Sequence, residues 1–283
     1  MQQKSNMKKP MGITVSDRAE ISDAEFKNFK SWIYEKAGIN LSDHKKALVM
    51  GRLAPRLRHH SLEKYGDYFD LLTSAKQSVE LQIAIDLLTT NETYFFREPK
   101  HFDFLRDEIL SKHKPGRQMR IWSAASSTGE EAYSLAMTLN HSIGDGPWEI
   151  IASDLSSRVL ERARSGHYSM DRSRHIPKEY LHKYCLKGVK EHEGTFLIDA
   201  SLKRRVKFMQ INLNEPLPGM GEFDVIVLRN VMIYFNLETK RQVVARLMPY
   251  LKSGGYFLIG HSESLNGITD EVQPVKPAIY RKP

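Results

Sequence analysis

Three acidic side chains stand where two predicted strands give way to helices. Glu130 and Glu131 follow the run MRIWSAASSTG (119–129), and Asp154 ends the run WEIIASD (148–154). The carboxyl ends of parallel strands border the crevice in which open α/β sheets bind nucleotides. Paired acids at the start of a helix favour a cationic ligand over a phosphate. Asp154 lies near the spacing at which an acid binds the hydroxyls of a ribose.

Both features also have plain structural explanations. The glutamates favour the dipole of a helix in its first turn, and an aspartate after a strand is a common helix cap. The chain has no GxxxxGK[ST] and no GxGxxG run, so this loop is not a phosphate cradle. The two carboxylates would repel the pyrophosphate of a dinucleotide. S-adenosylmethionine has no phosphate and carries an ammonium and a sulfonium, so the sign of the charge favours it as the cofactor.

A second polar cluster is TNETYFFR (90–97), which offers Asn91, Thr93 and Arg97. Arginine binds a carboxylate, such as that of methionine, with two parallel hydrogen bonds. The alternative is that Arg97 is an ordinary surface charge and the two phenylalanines belong to the core.

A third cluster is FDVIVLRNVMIYF (223–235), which runs through a strand and past its end with Arg229, Asn230 and Tyr234. Methyltransferases acting on nucleic-acid amino groups show an Asn/Asp-Pro-Pro-Tyr/Phe motif in such a place. This run has no Pro-Pro pair, which counts against a nucleic-acid substrate.

A basic strip lies in HKKALVMGRLAPRLRHH (44–60), which has five basic residues and no acid: Lys45, Lys46, Arg52, Arg56 and Arg58. It is either a solvated helix face or a docking surface for an acidic helix or a phosphate backbone. Pro55 is predicted to kink or split the helix. The net charge of +8 also indicates an acidic partner.

Several classes of site and location are not expected. Cys185 is the only cysteine, which excludes an internal disulfide. The eleven histidines show no HExxH or comparable spacing, so no metal is predicted. The basic N-terminus lacks the apolar core of a signal peptide, and no run is long enough for a membrane span. A cytoplasmic location is expected.

The periodicity of apolar residues predicts an α/β chain in which helices come first. A capping box, Ser22 to Glu25, opens a helix, and further helices are predicted near 63–75, 78–89 and 99–113. Strands are predicted at 119–125, 148–154, 205–213, 223–229 and 254–260, with PAIYRK near the end as an edge strand. The predicted domains are a loose arm (1–20), an all-α domain (21–111), a linker (112–118) and a doubly wound domain (119–283) with an insertion at 167–204 that holds a hairpin near Gly188–Asp199.

Taken in order, these motifs resemble the bacterial chemotaxis protein methyltransferases, the CheR family. TNETYFFR, IWSAASSTGEEAYSLA, ASD, INL, LRNVMIYF and GHSES carry the resemblance through nearly the whole chain. It implies a Rossmann-like class I methyltransferase fold with an all-α N-terminal domain and a small β-subdomain insertion. It also implies methyl transfer from S-adenosylmethionine to glutamates of membrane chemoreceptors, with S-adenosylhomocysteine as the product.

The resemblance assigns roles to residues. It places cofactor contacts at Asn91, Thr93, Arg97, Glu130, Glu131, Asp154, Asn212, Leu213, Arg229 and Asn230. It places Tyr234 near the methyl group, and Arg97 and Tyr234 are the candidates for orienting the substrate carboxylate. The basic strip would face the methylation helix of the receptor. In some members the β-subdomain grips a peptide at the receptor's C-terminus, but Lys190 stands where those members carry a glycine, which argues against that partner.

Two other functions would fit part of the sequence. One is a nucleic-acid methyltransferase, in view of the charge and the fold. The other is a non-catalytic module that binds S-adenosylmethionine and uses its N-terminal domain for partner contacts. A dehydrogenase fits less well, because its dinucleotide would meet the acidic loop.

Overall fold

The computed structural model describes residues 20–74 and 78–283, and it divides the chain into two compact units. The helical unit consists of residues up to Ser31 together with Ser42–Leu88, and the sheet unit consists of Trp32–Leu41 and Thr89–Pro283. The predicted arm over residues 1–20 lies almost wholly outside the described residues. Among the described residues, no helix combines the length and apolar character that crossing a bilayer requires.

Four helices supply the first part of the chain: α1 (Asp23–Ala37), α2 (Lys46–His59), α3 (Tyr65–Thr73) and α4 (Ser78–Leu88). The predicted capping box opens α1, since the Ser22 amide donates to Oε2 of Glu25 at 2.8 Å and the Glu25 amide donates to Oγ of Ser22 at 3.2 Å. Helix α2 continues through Pro55, so of the predicted kink or split the split does not occur. The flanking residues Leu53 and Leu57 are buried, and this packing offsets the lost backbone hydrogen bond.

The sheet unit begins before the predicted domain boundary. The division of the chain falls after Leu88, whereas the linker was predicted at 112–118. The helix predicted over 99–113 is a short α5 (Lys100–Phe104) followed by a wider turn, Leu105–Ile109, and a tighter one, Leu110–Lys112. This segment belongs to the sheet unit because Phe102, Phe104 and other apolar side chains pack in its core.

Seven strands form the main sheet, in the order β6-β2-β1-β7-β8-β10-β9. Their bounds are β1 (Met119–Ser123), β2 (Trp148–Asp154), β6 (Val206–Gln210), β7 (Phe223–Leu228), β8 (Leu251–Ile259), β9 (Gln273–Lys276) and β10 (Ile279–Arg281). The first five strands in this order are parallel, and β10 is antiparallel to both of its neighbours. The run PAIYRK was predicted as an edge strand, but β10 lies inside the sheet and β9 forms the edge.

Helices cover both faces of this sheet. Helix α6 (Glu130–Ile143) follows β1, α7 (Ser157–Ser165) follows β2, and α10 (Leu237–Leu247) lies between β7 and β8. Neighbouring strand residues alternate between two cores, so Ile121 packs with the residues of α6 and Trp122 packs with those of α10. The doubly wound architecture predicted from the alternation of strands and helices is confirmed.

The insertion at 167–204 forms a separate three-stranded antiparallel sheet in the order β3-β5-β4. It contains β3 (His167–Ser169), α8 (Lys178–Tyr184), β4 (Cys185–Lys187), β5 (Thr195–Ile198) and α9 (Ala200–Lys203). Strands β4 and β5 make the hairpin predicted near Gly188–Asp199. A Cβ on Gly188 would lie 2.0 Å from the carbonyl oxygen of His192, so this turn requires glycine.

Candidate active site

A cleft of about 940 Å³ opens at the carboxyl ends of β1, β2, β6 and β7, within the sheet unit. Its walls are the loops that follow these strands, the segment 89–97 and a short stretch near Ile39. Ten of the eleven residues predicted for the catalytic and cofactor sites line it: Asn91, Thr93, Arg97, Glu131, Asp154, Asn212, Leu213, Arg229, Asn230 and Tyr234. Residues from distant parts of the sequence therefore meet in one place, as predicted for the crevice of an open sheet.

Two residues with left-handed backbone conformations bend the loop between β1 and α6. Ser127 has a φ of +48° and Gly129 has a φ of +95°. A Cβ on Gly129 would lie 2.9 Å from Cβ of Ala163 and 2.9 Å from Oη of Tyr168, so no other residue fits. The amide of Ser127 donates to Oδ2 of Asp154 at 2.8 Å. This hydrogen bond ties the loop to the end of β2.

Glu131 lies between a hydroxyl and a cation at the wall of the cleft. Oγ of Ser123 donates to its Oε1 at 2.7 Å, and Nη1 of Arg229 donates to its Oε2 at 2.8 Å. Burial raises the pKa of this carboxyl, although Arg229 and Ser123 oppose the shift. A cationic ligand in the cleft would stabilise the ionised carboxylate, so the site favours positive charge.

Glu130 does not line the cleft, which differs from the prediction that both glutamates bind the cofactor. Its side chain is fully buried, accepts a hydrogen bond from Oγ1 of Thr128 at 2.6 Å and forms an ion pair with Arg172 at 3.1 Å. Burial raises the pKa of its carboxyl. Consecutive helical residues point about 100° apart, so only Glu131 of the pair faces the cleft.

Arg229 joins two carboxylates and is buried, with 2% of its side chain exposed. Nη1 binds Glu131 at 2.8 Å, and Nη2 binds Oε2 of Glu98 at 3.1 Å. Nη2 also donates to the carbonyl oxygen of Arg97. Arg229 lines the cleft, its contact with the cofactor stays a prediction, and its guanidinium is engaged by protein groups. Its contribution to the cleft is to hold Glu131 in place.

Glu98 is a site residue that the sequence analysis missed. Its Oε1 accepts from Nδ2 of Asn230 at 3.2 Å, and its Oε2 accepts from the amide of His261 at 3.2 Å. Burial opposes ionisation of Glu98, but Arg229 and Asn230 outweigh it and lower the pKa. The one sequence signal was an acid directly after Arg97, and nothing local connected it to Arg229.

Asp154 ends β2 at the wall of the cleft and is 9% exposed. Its Oδ1 accepts from the amide of Ser156 at 3.0 Å, besides the bond of Oδ2 to Ser127. The N-cap of α7 is Ser156, whose Oγ accepts from the amide of Val159. Ser156 therefore holds the N-cap position, and Asp154 binds the amide of that residue.

Arg97 lies half-buried in the lining of the cleft. Its Nη1 donates to the carbonyl oxygen of Glu92 at 2.9 Å, and its guanidinium carbon lies 5.7 Å from the ring centroid of Tyr94. The same segment is anchored to the loop after β1, because Oγ of Ser127 donates to the carbonyl oxygen of Asn91 at 3.1 Å. Arg172 donates to the carbonyl oxygen of Thr93 at 2.9 Å. These bonds fix the backbone of the segment.

Asn230 and Tyr234 follow β7, and their loop is held by a second carboxylate that the sequence analysis missed. Asn230 has a φ of +57°, and its amide donates to Oε2 of Glu263 at 2.9 Å. Glu263 also accepts from the amides of Gly260 at 2.7 Å and Ile233 at 3.3 Å. The GHSES run thus shapes the loop that carries Tyr234 rather than contacting the cleft itself.

Arg56, a member of the basic strip, forms an ion pair inside the helical unit. Its Nε binds Oε1 of Glu80 at 2.8 Å and its Nη2 binds Oε2 at 2.5 Å. Oη of Tyr68 also donates to Oε1 of Glu80, at 2.7 Å. Glu80 is buried, so Arg56 holds the helices together, and its contact with the substrate stays a prediction.

The other four residues of the basic strip differ in their surroundings. Nη1 of Arg52 donates to the carbonyl oxygen of Leu88 at 3.0 Å. Lys46 forms an exposed ion pair with Asp23 at 2.6 Å. Lys45 and Arg58 are exposed to solvent. A partner would therefore meet a narrower basic surface than the sequence predicted.

Two family models cover most of the chain. The model described as the CheR methyltransferase, SAM binding domain, matches residues 91–280, and the model described as the CheR methyltransferase, all-alpha domain, matches residues 24–89. The chain belongs to the CheR methyltransferase family. It is an S-adenosylmethionine-dependent methyltransferase of the class I fold. The border between the two matches agrees with the division of the structure after Leu88.

Relatives of this CheR methyltransferase are similar over nearly their full length. The chemotaxis protein methyltransferase of Salmonella typhimurium is 40% identical over 271 residues, which cover 95% of this chain and 93% of the relative. That of Escherichia coli is 41% identical over 257 residues, which cover 90% and 89%. Among solved structures, the glycopeptide N-methyltransferase MtfA complexed with (S)-adenosyl-L-methionine is 16% identical with a TM-score of 0.36 and covers 60% of this chain and 51% of its own.

Proposed function

We propose that this CheR methyltransferase methylates glutamate side chains on the cytoplasmic helices of chemoreceptors, forming glutamate 5-O-methyl esters for sensory adaptation. The observation that carries the proposal is the cleft at the strand ends. The carboxylates of Glu131 and Asp154 lie in its lining, where they would bind a cationic nucleoside. Among the described residues, the charged side chains of the lining are three acids, Glu92, Glu131 and Asp154, and two arginines, Arg97 and Arg229, of which Arg229 is already paired. Relatives named chemotaxis protein methyltransferases support the choice of substrate.

The residues of the cleft suit the parts of S-adenosylmethionine, which supplies an electrophilic methyl group when it is bound. Glu131 would accept the ammonium of its methionine end, and Asp154 would accept the ribose hydroxyls. Leu213 and the neighbouring Asn212 would border the adenine. The remaining predicted contacts, Asn91, Thr93 and Asn230, lie on the surrounding walls.

The substrate needs orientation rather than activation. The pKa of a solvated glutamate side chain is about 4.3, so the carboxylate is ionised at neutral pH and requires no general base. The task of the protein is to hold the carboxylate oxygen in line with the methyl carbon and to exclude water. Arg97 and Tyr234 line the cleft and carry the donors that would hold the carboxylate as it loses its hydration.

The partner surface is assigned to the exposed members of the basic strip. Lys45, Lys46 and Arg58 would attract the acidic methylation helix of a receptor, while Arg56 serves the helical unit internally. This interaction would recruit the enzyme to membrane receptors. The receptor's C-terminal peptide is not part of the proposal, because Lys190 occupies the position of a glycine in the members that bind it.

A tritiated methyl-donor assay on membranes that hold the organism's own receptors tests the proposal. We expect alkali-labile label on receptor glutamates, and at least tenfold less label with Arg97→Ala while circular dichroism shows an intact fold. Tyr234→Phe should slow turnover with little change in the affinity for S-adenosylhomocysteine.

Three results would contradict these assignments. Label in RNA or DNA with a steep salt dependence would indicate the nucleic-acid function instead. Tight S-adenosylhomocysteine binding without any labelled product would indicate a non-catalytic module. A loss of cofactor affinity with normal turnover in Tyr234→Phe would place that residue in the cofactor site.

A further inference from the structure

Three side chains that can ligate a metal converge behind the wall of the cleft. Glu98, His101 and His261 offer ligand atoms that all lie within 4.8 Å of one another. Nδ1 of His101 lies 3.4 Å from Oε2 of Glu98, and the two imidazole rings have centroids 4.8 Å apart. The residues come from the segment before β1 and from the turn after β8, so their proximity is a product of the fold.

His101 is the unusual member of this cluster, because it is buried and polar without a hydrogen bond. Its side chain is 3% exposed, and within the described structure neither Nδ1 nor Nε2 has a hydrogen-bond partner. Buried polar atoms are nearly always satisfied, and leaving one unsatisfied costs free energy. A ligand that accepts an imidazole lone pair would remove that cost, and a metal ion is such a ligand.

A second cavity, of about 970 Å³, gives solvent access to the two histidines. His101 and His261 line it together with Asp103, Asp107 and Glu108. Two lysines, Lys100 and Lys276, also lie in its wall, so the entrance has charges of both signs. A cation can therefore approach the cluster without passing through the cofactor cleft.

We propose that Glu98, His101 and His261 bind a borderline divalent cation of the Zn²⁺ class. Two imidazoles and one carboxylate are a donor set that Zn²⁺ uses, with the fourth position left to water. Mg²⁺ and Ca²⁺ prefer oxygen ligands only, so this set discriminates against them. Arg229 beside Glu98 repels any cation, which makes the site a reversible one rather than a structural one.

The position of Glu98 couples this site to the cofactor cleft. Glu98 shares Arg229 with Glu131, because Arg229 binds one carboxylate through each terminal nitrogen. A metal ion on Glu98 draws charge from its carboxylate and leaves Arg229 more fully paired with Glu131. Glu131 then has less negative charge to offer an ammonium, so Zn²⁺ weakens cofactor binding. This coupling rests on the proposed role of Glu131.

Calorimetric titration of the tag-free full chain with ZnCl₂ tests the site without any cofactor. We expect saturable binding that loses one equivalent in His261→Ala and keeps it in His182→Ala, a matched control in which another exposed histidine is removed. MgCl₂ should give no binding at this site. Zn²⁺ binding by His261→Ala equal to that of the wild type would overturn the proposal, and His101→Gln provides a second variant if the first is misfolded.

Titration of S-adenosylhomocysteine with and without Zn²⁺ then tests the coupling. We expect about tenfold weaker binding in the presence of Zn²⁺ for the wild type and for His182→Ala, and no change for His261→Ala. Equal affinities for the wild type with and without bound Zn²⁺ would overturn the coupling. Neither titration involves a receptor, so failure to methylate chemoreceptors would leave both results intact.

Discussion

The helical unit and the sheet unit each pair an arginine with glutamate, with opposite consequences. In the helical unit, Arg56 serves a single carboxylate, Glu80, and binds both of its oxygens. In the sheet unit, Arg229 is shared by two carboxylates, Glu98 and Glu131. The first arrangement balances one negative charge with one positive charge. The second leaves one negative charge beside a cleft.

The titration of the carboxyls reflects this difference. Burial opposes ionisation of Glu80, but Arg56 and Tyr68 outweigh it and lower the pKa to about 2. Burial of Glu131 prevails over Arg229 and raises the pKa. A buried arginine–glutamate pair therefore does not by itself mark a functional site. A functional site is marked by an excess of carboxylates over cations at the strand ends, because a cationic ligand can supply the missing positive charge.

Removal of Arg229 should have the largest effect. Arg229→Ala leaves two largely buried carboxylates, with 15% and 11% of their side chains exposed, without a cation. We therefore expect a loss of about 3 kcal/mol in the free energy of unfolding and no measurable binding of S-adenosylhomocysteine. Urea unfolding and calorimetry measure the two quantities. Arg56→Ala is the matched control, and it should lose stability while the folded protein keeps its affinity. Loss of affinity in both variants would erase the distinction between the two arrangements.

A smaller effect is expected when the charge of the cleft alone is changed. Glu131→Gln keeps the shape and removes the anion, so S-adenosylhomocysteine should bind about 10- to 100-fold more weakly, as for a charged hydrogen bond worth about 1.5–3 kcal/mol. Glu130→Gln, one residue earlier on α6, should change the affinity less than about twofold because its side chain points away. Calorimetry compares them, and equal losses would show that both glutamates serve the cofactor.

The smallest effect concerns the pH dependence of the balanced pair. The pKa of Glu80 is lower in the folded state than its ordinary value of 4.5, so its stabilisation is present above pH 4.5 and is lost as the pH falls towards about 2. In this window the free energy of unfolding should fall more steeply for the wild type than for Glu80→Gln, by at most about 1.4 kcal/mol per pH unit. Parallel curves from acid unfolding would refute the contribution of Glu80.

Local patterns predicted much of the fold. The strand at 148–154 has the predicted bounds because a short, almost continuously buried run and a terminal aspartate are both local signals. The capping box of Ser22 and Glu25 likewise forms between near neighbours. The edge at which the crevice lies could also be predicted, because parallel strands present their carboxyl ends at one edge. Residues such as Asn91 and Thr93, which follow no strand, were assigned to it only by the family resemblance.

Pairing between distant side chains could not be predicted. Glu80 lies 24 residues after Arg56, and Glu98 lies 131 residues before Arg229, so neither pair has a local signal. Which of Glu130 and Glu131 points into the cleft depends on the exact rotation of α6 against the sheet. The histidines of the proposed metal site show no ligand spacing for the same reason, since His261 reaches His101 only through the fold.

Strand β10 has a consequence for how the protein is made. Ile279 and Tyr280 are buried inside the main sheet, between β8 and β9, although the ribosome adds them after all the other strands. Until they emerge, β8 has an open edge whose backbone groups can pair with any neighbouring strand. This sheet can therefore close only after β10 has been synthesised, and β8 is exposed to mispairing until then.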